Sequence, residues 1–228
     1  MKTQGKTMFH FIREYPVIPT AILFTIYIVL FSVLENADPA SVYLIDTGLD
    51  HLIPFSKYAV FLYCTWHLEI AAILLSFLHL RDFDGYWHTA GQLLLGLFLI
   101  LFICALFPNM VDLRPSEVPG DDVFAEMTRL IYSMDDNCNV FPSGHALGAV
   151  LMAFGWSRIA DRPWQKAASW TLNAGIILST LLLKQHSVID AAGGIILALV
   201  IEVAAESVLS AWRQRRPKVW ASTVLPKI

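Results

Sequence analysis

The sequence predicts an all-α fold, namely a polytopic membrane bundle of about six transmembrane helices. The first observation is composition: 56% of the 228 residues are hydrophobic and 15% are charged, with a mean hydropathy of +0.57. Such a chain is too apolar for an ordinary soluble domain. The second observation is clustering, because the apolar residues gather into runs of bilayer length, roughly 20 residues each. With short loops between the runs, residues 1–228 are expected to form one integral membrane domain.

Six hydrophobic runs define the predicted spans, taken in chain order. The first follows basic residues in the manner of a signal peptide, but its length and the lack of a convincing cleavage site favour an uncleaved anchor. The fourth is shorter than a bilayer requires unless residues 158–160 extend it. The predicted spans are Pro16–Leu34, Tyr58–His79, Thr89–Phe107, Ser143–Ser157, Ala167–Leu183 and Val188–Trp212.

Loop charges predict the orientation. With the N-terminus inside, twelve Lys and Arg residues lie in the cytoplasm and four lie outside, which follows the positive-inside rule. Both termini are then cytoplasmic, and the segments 108–142 and 183–187 face the exterior. Short loops favour a bacterial inner membrane. The inner residues are Lys2, Lys6, Arg13, Arg81, Arg158, Arg162, Lys166, Arg213, Arg215, Arg216, Lys218 and Lys227, and the outer ones are Lys57, Arg114, Arg129 and Lys184.

The longest connecting segment, Pro108–Pro142, is expected to contain a helix of another kind. Apolar residues recur within it at the spacing of one helix face. This pattern predicts an amphipathic helix that lies along the membrane surface or over a site. The helix is predicted over Val123–Met134, with apolar residues at Val123, Met127, Leu130, Ile131 and Met134.

A helix start at Phe141–His145 carries the first candidate site residues. Pro142 and Ser143 are common where helices begin, and the unpaired N–H groups of a first turn can hold an anion. Gly144 would let a phosphate approach the backbone, and His145 follows it directly. Taken alone, the segment favours a plainer interpretation, an ordinary capped helix with an interfacial histidine.

His186 and Asp190 form the second candidate group. Four residues apart at the opening of the last span, they are predicted to share a helix face, so that the carboxylate contacts the imidazole. Such a contact fixes the tautomer and stabilises an imidazolium, as the Asp of a catalytic triad does. The plainer alternative is a pair that anchors a helix end, although ionisable residues at this depth are functional candidates because their burial is costly.

Two of the outer cations complete the candidate site. A phosphoryl group in transfer spreads negative charge over its oxygens, and Arg or Lys must meet that charge. Arg114 lies near the end of the third span, and Lys184 lies two residues before His186. The alternative for both is an interfacial side chain that extends its charge to water, which is our interpretation of Arg129 and Lys57.

Neither a metal site nor a nucleic-acid site is expected. Cys64, Cys104 and Cys138 stand far apart and show no metal-ligand spacing. The net charge of −3 argues against a nucleic-acid binder. No cofactor is predicted, and the expected partners are a substrate and the surrounding membrane lipids.

Four more ionisable residues fall deep within predicted spans. They could line a polar channel or form a structural pair such as His67–Glu202. Equally, they could face neighbouring helices in their neutral forms. These residues are His67, Glu69, Glu202 and Glu206.

Together these motifs resemble the type-2 phosphatidic acid phosphatase superfamily, the lipid phosphate phosphatases related to vanadium haloperoxidases. The first family motif survives as Arg114-Pro115, and the second is complete as Pro142-Ser143-Gly144-His145. The third reads Ser179-Thr180, five residues, His186, three residues and Asp190. Order and spacing agree, and the resemblance extends from about Asp50 to Gly194.

The chain departs from the family pattern at two cations. Phe107 stands where the first motif has Lys, and Thr180 stands where the third has Arg. The run Lys184-Gln185-His186 resembles a branch that includes proteins similar to inositol-phosphorylceramide synthases, which pass a phosphoryl headgroup to an alcohol. The segments Asp50–Phe55 and Tyr132–Asn139 also resemble that branch. We expect Lys184 to replace the missing arginine.

The resemblance implies a metal-independent mechanism on a lipid phosphate. His186 attacks phosphorus to form a phosphohistidine, His145 protonates the departing lipid alcohol, and water then releases phosphate. Arg114, Lys184, Ser143 and Gly144 hold the phosphate oxygens. The implied activity is hydrolysis of a lipid or polyprenyl phosphomonoester or diphosphate. A headgroup phosphotransferase and a non-catalytic membrane protein that retains the fold are the alternatives.

Overall fold

The computed structural model describes residues 15–37, 39 and 41–215, without the side chains of residues 212–215. Within these residues the chain is mainly helical and has almost no strand, so the all-α prediction is confirmed. The helices are α1 (Val17–Glu35), α2 (Gly48–Leu52), α3 (Val60–His79), α4 (Phe83–Leu106), α5 (Val123–Met134), α6 (Gly144–Ile159), α7 (Pro163–Leu182) and α8 (Val188–Arg215), with a 3-10 turn at Lys57–Ala59 and strands β1 (Tyr43–Leu44) and β2 (Asn109–Met110).

Each of the six predicted hydrophobic runs corresponds to a long helix. Among the described residues, α1, α3 with its preceding turn, α4 and α8 are long and apolar enough to cross a membrane. The chain is therefore a membrane protein, while a count of six spans stays a prediction. Helix α4 begins six residues before the predicted start at Thr89, because the Asp82 side chain accepts a hydrogen bond from the Gly85 N–H and caps it there.

Helix α6 lies at the centre of the bundle and packs against α3, α4, α7 and α8. Its 16 residues are mostly buried, and many of them are small. Leu147, Leu151 and Met152 are fully buried in a core shared with Leu97 and Ile100 of α4. A helix surrounded by other helices can be short and still be held firmly, so packing fixes the position of its first turn.

Two glycines allow the closest approaches to α6. A Cβ atom at Gly148 would lie 2.6 Å from Trp66 Nε1, and a Cβ atom at Gly194 would lie 2.3 Å from the carbonyl oxygen of Ser143. A larger residue at either position would push α3 or α8 away. These contacts determine how closely Trp66 approaches the start of α6. They also determine how closely the first turns of α8 approach it.

Three connecting segments, 36–59, 107–143 and 183–187, meet at one end of the bundle. Strand β1 from the first segment pairs in parallel with β2 from the second, with Tyr43 opposite Asn109. The N–H of Ser56 in the first segment donates to the carbonyl of Leu182, where the third segment begins. Residues that are remote in the chain are thereby assembled over the start of α6.

The amphipathic helix predicted over Val123–Met134 is present with these bounds as α5. The Asp122 side chain caps it by accepting hydrogen bonds from the N–H groups of Phe124 and Ala125. One apolar row packs against a cluster around Val60 and Tyr63 of α3. A second apolar row is exposed, so α5 both covers the end of the bundle and presents an unpaired apolar surface. The packed row is Phe124, Met127 and Ile131, and the exposed row is Val123, Leu130 and Met134.

An ionic network joins α4, α6 and α8 away from that end. Arg158 donates to Glu202 at 2.5 Å and lies 2.7 Å from His88 Nε2, while Gln92 donates to the other Glu202 oxygen at 2.8 Å. The suggested His67–Glu202 pair is therefore wrong, because α8 presents Glu202 to α4 and α6 rather than to α3. The orientation charges Lys2, Lys6, Arg13, Arg216, Lys218 and Lys227, and the side chains of Arg213 and Arg215, lie outside the described residues.

Candidate active site

The structure brings the two candidate histidines together. The ring centroids of His145, in the first turn of α6, and His186, in the turn before α8, lie 5.7 Å apart. The N–H of Ser143 donates to the carbonyl of Asp190 at 3.0 Å, which ties the starts of the two helices to each other. Imidazoles at this separation can act on one reacting centre.

The first turn of α6 has the form predicted for Ser143 and Gly144. The Ser143 hydroxyl oxygen accepts a hydrogen bond from the N–H of Ala146 at 3.2 Å and so caps the helix. A Cβ atom added at Gly144 would meet Leu97 at 3.6 Å, an ordinary contact. Packing therefore does not demand a glycine there, which agrees with a role in ligand approach. Phosphate binding by Ser143 and Gly144 stays a prediction.

Aromatic rings from α3 surround His145. The centroids of Tyr63 and Trp66 lie 4.4 and 4.5 Å from its ring, and that of His67 lies at 6.2 Å. His145 Nε2 is buried and has no hydrogen-bond partner among the described residues. The imidazole is thus held by packing, with one ring nitrogen available to a ligand.

His186 does not lie on α8, contrary to the prediction that it shares a helix face with Asp190. Helix α8 begins at Val188, and Lys184 in the preceding turn has a φ of +56°. Asp190 Oδ2 accepts the N–H of Ser187 at 2.8 Å and lies 3.6 Å from His186 Nδ1, which is too long for a hydrogen bond. The carboxylate therefore caps the helix and acts on the ring through its charge.

Arg114 reaches the site from the segment after β2. Its Nη2 atom donates to the carbonyl of Asp135 at 2.7 Å and to Oε1 of Gln185, the neighbour of His186. Its guanidinium lies over the Tyr132 ring, 4.5 Å from the centroid. Burial raises the pKa of Tyr132 to about 12, although the charge of Arg114 opposes this shift. Arg114 is thus fixed beside His186 as a permanent positive charge.

Lys184 faces the α2 segment. Its Nζ atom donates to the carbonyls of Asp50 at 2.6 Å and Ile53 at 2.5 Å, and the residue is 7% exposed. Burial lowers the pKa of Lys184, while Asp50 and Asp46 oppose that shift. In this arrangement its ammonium group fastens two segments together. Substitution of Lys184 for the missing family arginine therefore stays a prediction.

Sequence reasoning gave Asp50 no role, yet this carboxylate holds the His186 turn in place. It is 2% exposed and accepts hydrogen bonds from the Ser187 hydroxyl and the Val188 N–H, both at 2.8 Å. It also accepts two from Thr47, at 2.7 and 2.8 Å. Burial would raise the pKa of Asp50, but these hydrogen bonds outweigh it and lower that pKa. The Thr47–Asp50 spacing of a capping box was the available sequence signal.

Asp135 is a further carboxyl group at the site. The sequence indicates it only through the family resemblance of the segment Tyr132–Asn139. Tyr63 donates its hydroxyl to Asp135 Oδ2 at 3.3 Å. Burial raises the pKa of Asp135, and the nearby His186 and Arg114 oppose that rise. An acidic group therefore lies among the candidate catalytic residues.

Several buried nitrogen atoms at the site have no hydrogen-bond partner among the described residues. They include Nε2 of His145, Nε of Arg114 and Nε2 of Gln185. Buried polar groups are normally paired, so these atoms are free to bind a ligand that accepts hydrogen bonds. An oxyanion such as a phosphoryl group has the required acceptors.

Comparison with known families agrees with this chemistry. The PAP2 superfamily matches residues 43–204, which is more than half of the chain and includes every residue of the candidate site. No curated protein and no solved structure matches the chain. The family match supports a membrane enzyme of phosphatase type that hydrolyses or transfers a phosphoryl group, while the narrower resemblance to one branch stays a prediction. The chain belongs to the PAP2 superfamily.

Proposed function

We propose that this protein is a lipid phosphate phosphatase that hydrolyses a lipid or polyprenyl phosphomonoester or diphosphate on the outer face of a bacterial inner membrane. The observation that carries the proposal is the 5.7 Å separation of the His145 and His186 rings, among buried polar atoms that have no hydrogen-bond partner within the described part of the chain. The excess of basic residues in the opposite loops supports an outward-facing site and cytoplasmic termini.

In the first step, His186 attacks phosphorus and the bond between phosphorus and the lipid oxygen breaks. A phosphohistidine forms, and the proton on His145 passes to the departing lipid alcohol. Asp190, whose Oδ2 atom lies 3.6 Å from His186 Nδ1, stabilises the positive charge that develops on the ring.

In the second step, water attacks the phosphohistidine, and His145 accepts the proton that water loses. The bond between phosphorus and nitrogen breaks, inorganic phosphate leaves, and both histidines return to their starting forms. Arg114 and the first turn of α6 with Ser143 and Gly144 stabilise the oxygens of the transferring group in both steps. These groups supply the positive field, so the proposal requires no metal.

A headgroup phosphotransferase is the second candidate. Its support is the position of Gln185, which accepts a hydrogen bond from Arg114 and belongs to the Lys184-Gln185-His186 run of the transferase-like branch. The same phosphohistidine would serve both activities, and only the acceptor would change from water to an alcohol.

Product analysis distinguishes these functions. Purified protein is supplied with a panel of lipid phosphates in detergent, with a chelator present and with or without an added alcohol. Free phosphate from a lipid phosphate supports the phosphatase. A headgroup moved onto the added alcohol supports the transferase.

A non-catalytic membrane protein is the third candidate, motivated by Phe107 and Thr180 at positions where the family has cations. Turnover that persists with chelator, is inhibited by vanadate and is lost in both His145→Ala and His186→Ala would eliminate it. Absence of turnover on every member of the panel would favour it over the phosphatase.

A further inference from the structure

A groove of about 550 Å³ lies between α3, α6 and α7, apart from the candidate active site. It extends from the middle of α3 towards the start of α7, and so towards the end of the bundle opposite the histidines. Most of its lining is apolar, but four polar side chains belong to it, those of Thr65, Glu69, Gln165 and Ser169. The residues that matter here are Leu68, Ile159, Trp164 and Leu172, together with the polar Glu69 and Ser169.

Two of these polar side chains, Glu69 and Ser169, are incompletely paired. Glu69 is 5% exposed; its Oε1 atom accepts a hydrogen bond from Asn173 Nδ2 at 2.7 Å, and the Trp156 side chain also lies near the carboxylate. Its Oε2 atom is buried and has no partner of hydrogen-bond geometry among the described residues. The hydroxyl of Ser169 is also buried and unpartnered among the described residues. Leaving such groups unpaired is unfavourable, so a ligand that pairs them would bind favourably.

The groove opens beside a candidate membrane span. Glu69 lies near the middle of the candidate span Lys57–His79. Leu68 and Trp164 at the groove are 70% and 64% exposed, so the opening lies on the outer surface of the bundle. A ligand at this depth must come from the bilayer and carry a hydrocarbon chain.

The unpaired atoms specify the head of that ligand. Glu69 Oε2 can accept a hydrogen bond, and the Ser169 hydroxyl can donate one. A hydroxyl group donates one hydrogen bond and accepts others, and it costs far less to move into a bilayer than a charged group. A phosphorylated lipid would place its negative charge against Glu69.

We propose that this groove binds a lipid alcohol, with its hydroxyl at Glu69 and its chain along Leu68, Ile159 and Leu172. The assignment to a reaction component rests on the proposed function, since removal of the phosphoryl group leaves a lipid with a free hydroxyl. Trp66 connects the two places: it lies one helical turn before Glu69, and its ring is 4.5 Å from that of His145. The groove would then receive the lipid product, or hold the alcohol acceptor of a transfer.

Photolabelling tests this inference without any turnover. The His186→Ala variant, reconstituted in lipid nanodiscs, is exposed to a long-chain alcohol that carries a diazirine in its chain. We expect labelling of peptides that include residues 65–72 and 164–172. Unlabelled long-chain alcohol should compete, and the phosphate ester of the same chain should compete far less.

Two sets of variants locate the site. Glu69→Leu removes the unpaired acceptor and should lower labelling about tenfold, whereas Glu69→Gln keeps an acceptor and should retain most of it. Leu172→Trp should block the groove. Leu178→Trp is the matched control, because Leu178 lies on the same helix, is 51% exposed and does not line the groove.

The inference fails if labelling spreads evenly over the lipid-facing surface of α7, or if Glu69→Leu and Leu172→Trp leave it unchanged. Stronger competition by a long-chain amine than by the alcohol would also overturn it. Phosphatase activity in the wild type without groove labelling would refute this inference and leave the proposed function intact. Groove labelling in a protein that releases no phosphate would refute the proposed function and leave the binding of a lipid alcohol in the groove intact.

Discussion

The position of His186 is fixed by hydrogen bonds of the residues that follow it in the chain, and not by hydrogen bonds to its imidazole ring. Asp50 receives hydrogen bonds from Ser187 and Val188, and Asp190 receives the N–H of Ser187. The backbone on the C-terminal side of His186 is therefore fixed, while its Nδ1 atom has no hydrogen-bond partner among the described residues. A ring positioned in this way can accept a bond to phosphorus with little rearrangement of the protein.

Asp190→Asn tests the role of the charge next to His186. The Asn oxygen can still accept the Ser187 N–H, so the helix start should persist, but the imidazolium formed on attack loses its counter-charge. We expect kcat to fall by roughly three to four orders of magnitude, as for the Asp of a catalytic triad. Release of phosphate from a lipid phosphate measures the effect, with the thermal unfolding temperature as a control for folding. A kcat within tenfold of the wild type would contradict this role.

At this scale the sequence identified some residues and missed others for a physical reason. His145, His186, Asp190 and Arg114 stand in a recognisable order and spacing. Gln185 and Asp50 gain their roles from hydrogen bonds across 71 and 137 residues. Such contacts depend on how the loops fold over α6, and no local pattern encodes them.

Among the elements, the short helix α2 is fastened to the start of α8. Asp50 joins them through its carboxylate, and its backbone carbonyl accepts a hydrogen bond from Lys184. This junction sets the shape of the turn between α7 and α8. Its strength should therefore depend on the charge of Asp50.

The pH dependence of stability follows from that charge. Because the pKa of Asp50 is lowered in the folded state, its stabilisation is present above the ordinary Asp pKa of about 3.9. It is lost as the pH falls through the folded-state value. At pH 7, Asp50→Asn should destabilise the protein by about 1–3 kcal/mol. As the pH falls below about 4, the unfolding temperature of Asp50→Asn should fall less steeply than that of the wild type.

Thermal unfolding in detergent at each pH provides the measurement. Asp46→Asn serves as the control, because Asp46 lies in the same segment but pairs with His51 at the surface, where such a contact contributes little. Equal effects of the two substitutions at pH 7 would show that the Asp50 carboxylate stabilises the fold no more than the exposed Asp46–His51 pair does.

Helix α5 is the second element with a testable role. Its exposed row Val123, Leu130 and Met134 suits insertion into the outer leaflet. Leu130→Asp should reduce turnover of a long-chain lipid phosphate in vesicles at least tenfold, roughly the loss of one buried apolar contact plus the burial of a charge. Turnover of a short-chain, water-soluble phosphate should change less than about twofold.

The polar face of the same helix provides the control. Glu126 forms an exposed ion pair with Arg129, so Glu126→Gln should alter neither activity strongly. If Leu130→Asp lowered both activities equally, α5 would support the fold of the site and would not act by inserting into the membrane.

For the molecule as a whole, the fold places all three site-forming segments at one end of a helical bundle. Segments 36–59, 107–143 and 183–187 meet there, while the turns at 80–82 and 160–162 lie at the other end. The loop charges predict that the first end faces outward.

Cysteine accessibility tests that orientation. In a protein whose three native cysteines are replaced by serine, Ser116→Cys and Asp161→Cys each introduce one exposed thiol, at opposite ends of the bundle. An impermeant maleimide applied to intact cells should label position 116, and should label position 161 only after permeabilisation. Labelling of 161 alone would reverse the orientation, and equal labelling of both in intact cells would contradict the topology.

The fold was largely predictable because apolar runs of bilayer length leave few alternatives. The exceptions have physical causes. His186 lies in the turn before α8 and not on that helix, because the Asp190 side chain caps the helix at the N–H of Ser187. The partner of Glu202 depended on which helices pack together, and hydropathy does not report that.

The central claim is that phosphorus becomes bonded to His186, and direct capture of that intermediate tests it. Wild-type protein is mixed with a lipid phosphate carrying radioactive phosphorus, quenched in alkali after milliseconds to seconds, and digested for mass spectrometry. We predict phosphohistidine at His186 that disappears as free phosphate forms, and no label in His186→Ala, which should also be inactive. Phosphate release without label on His186, or substantial turnover by His186→Ala, would contradict the account.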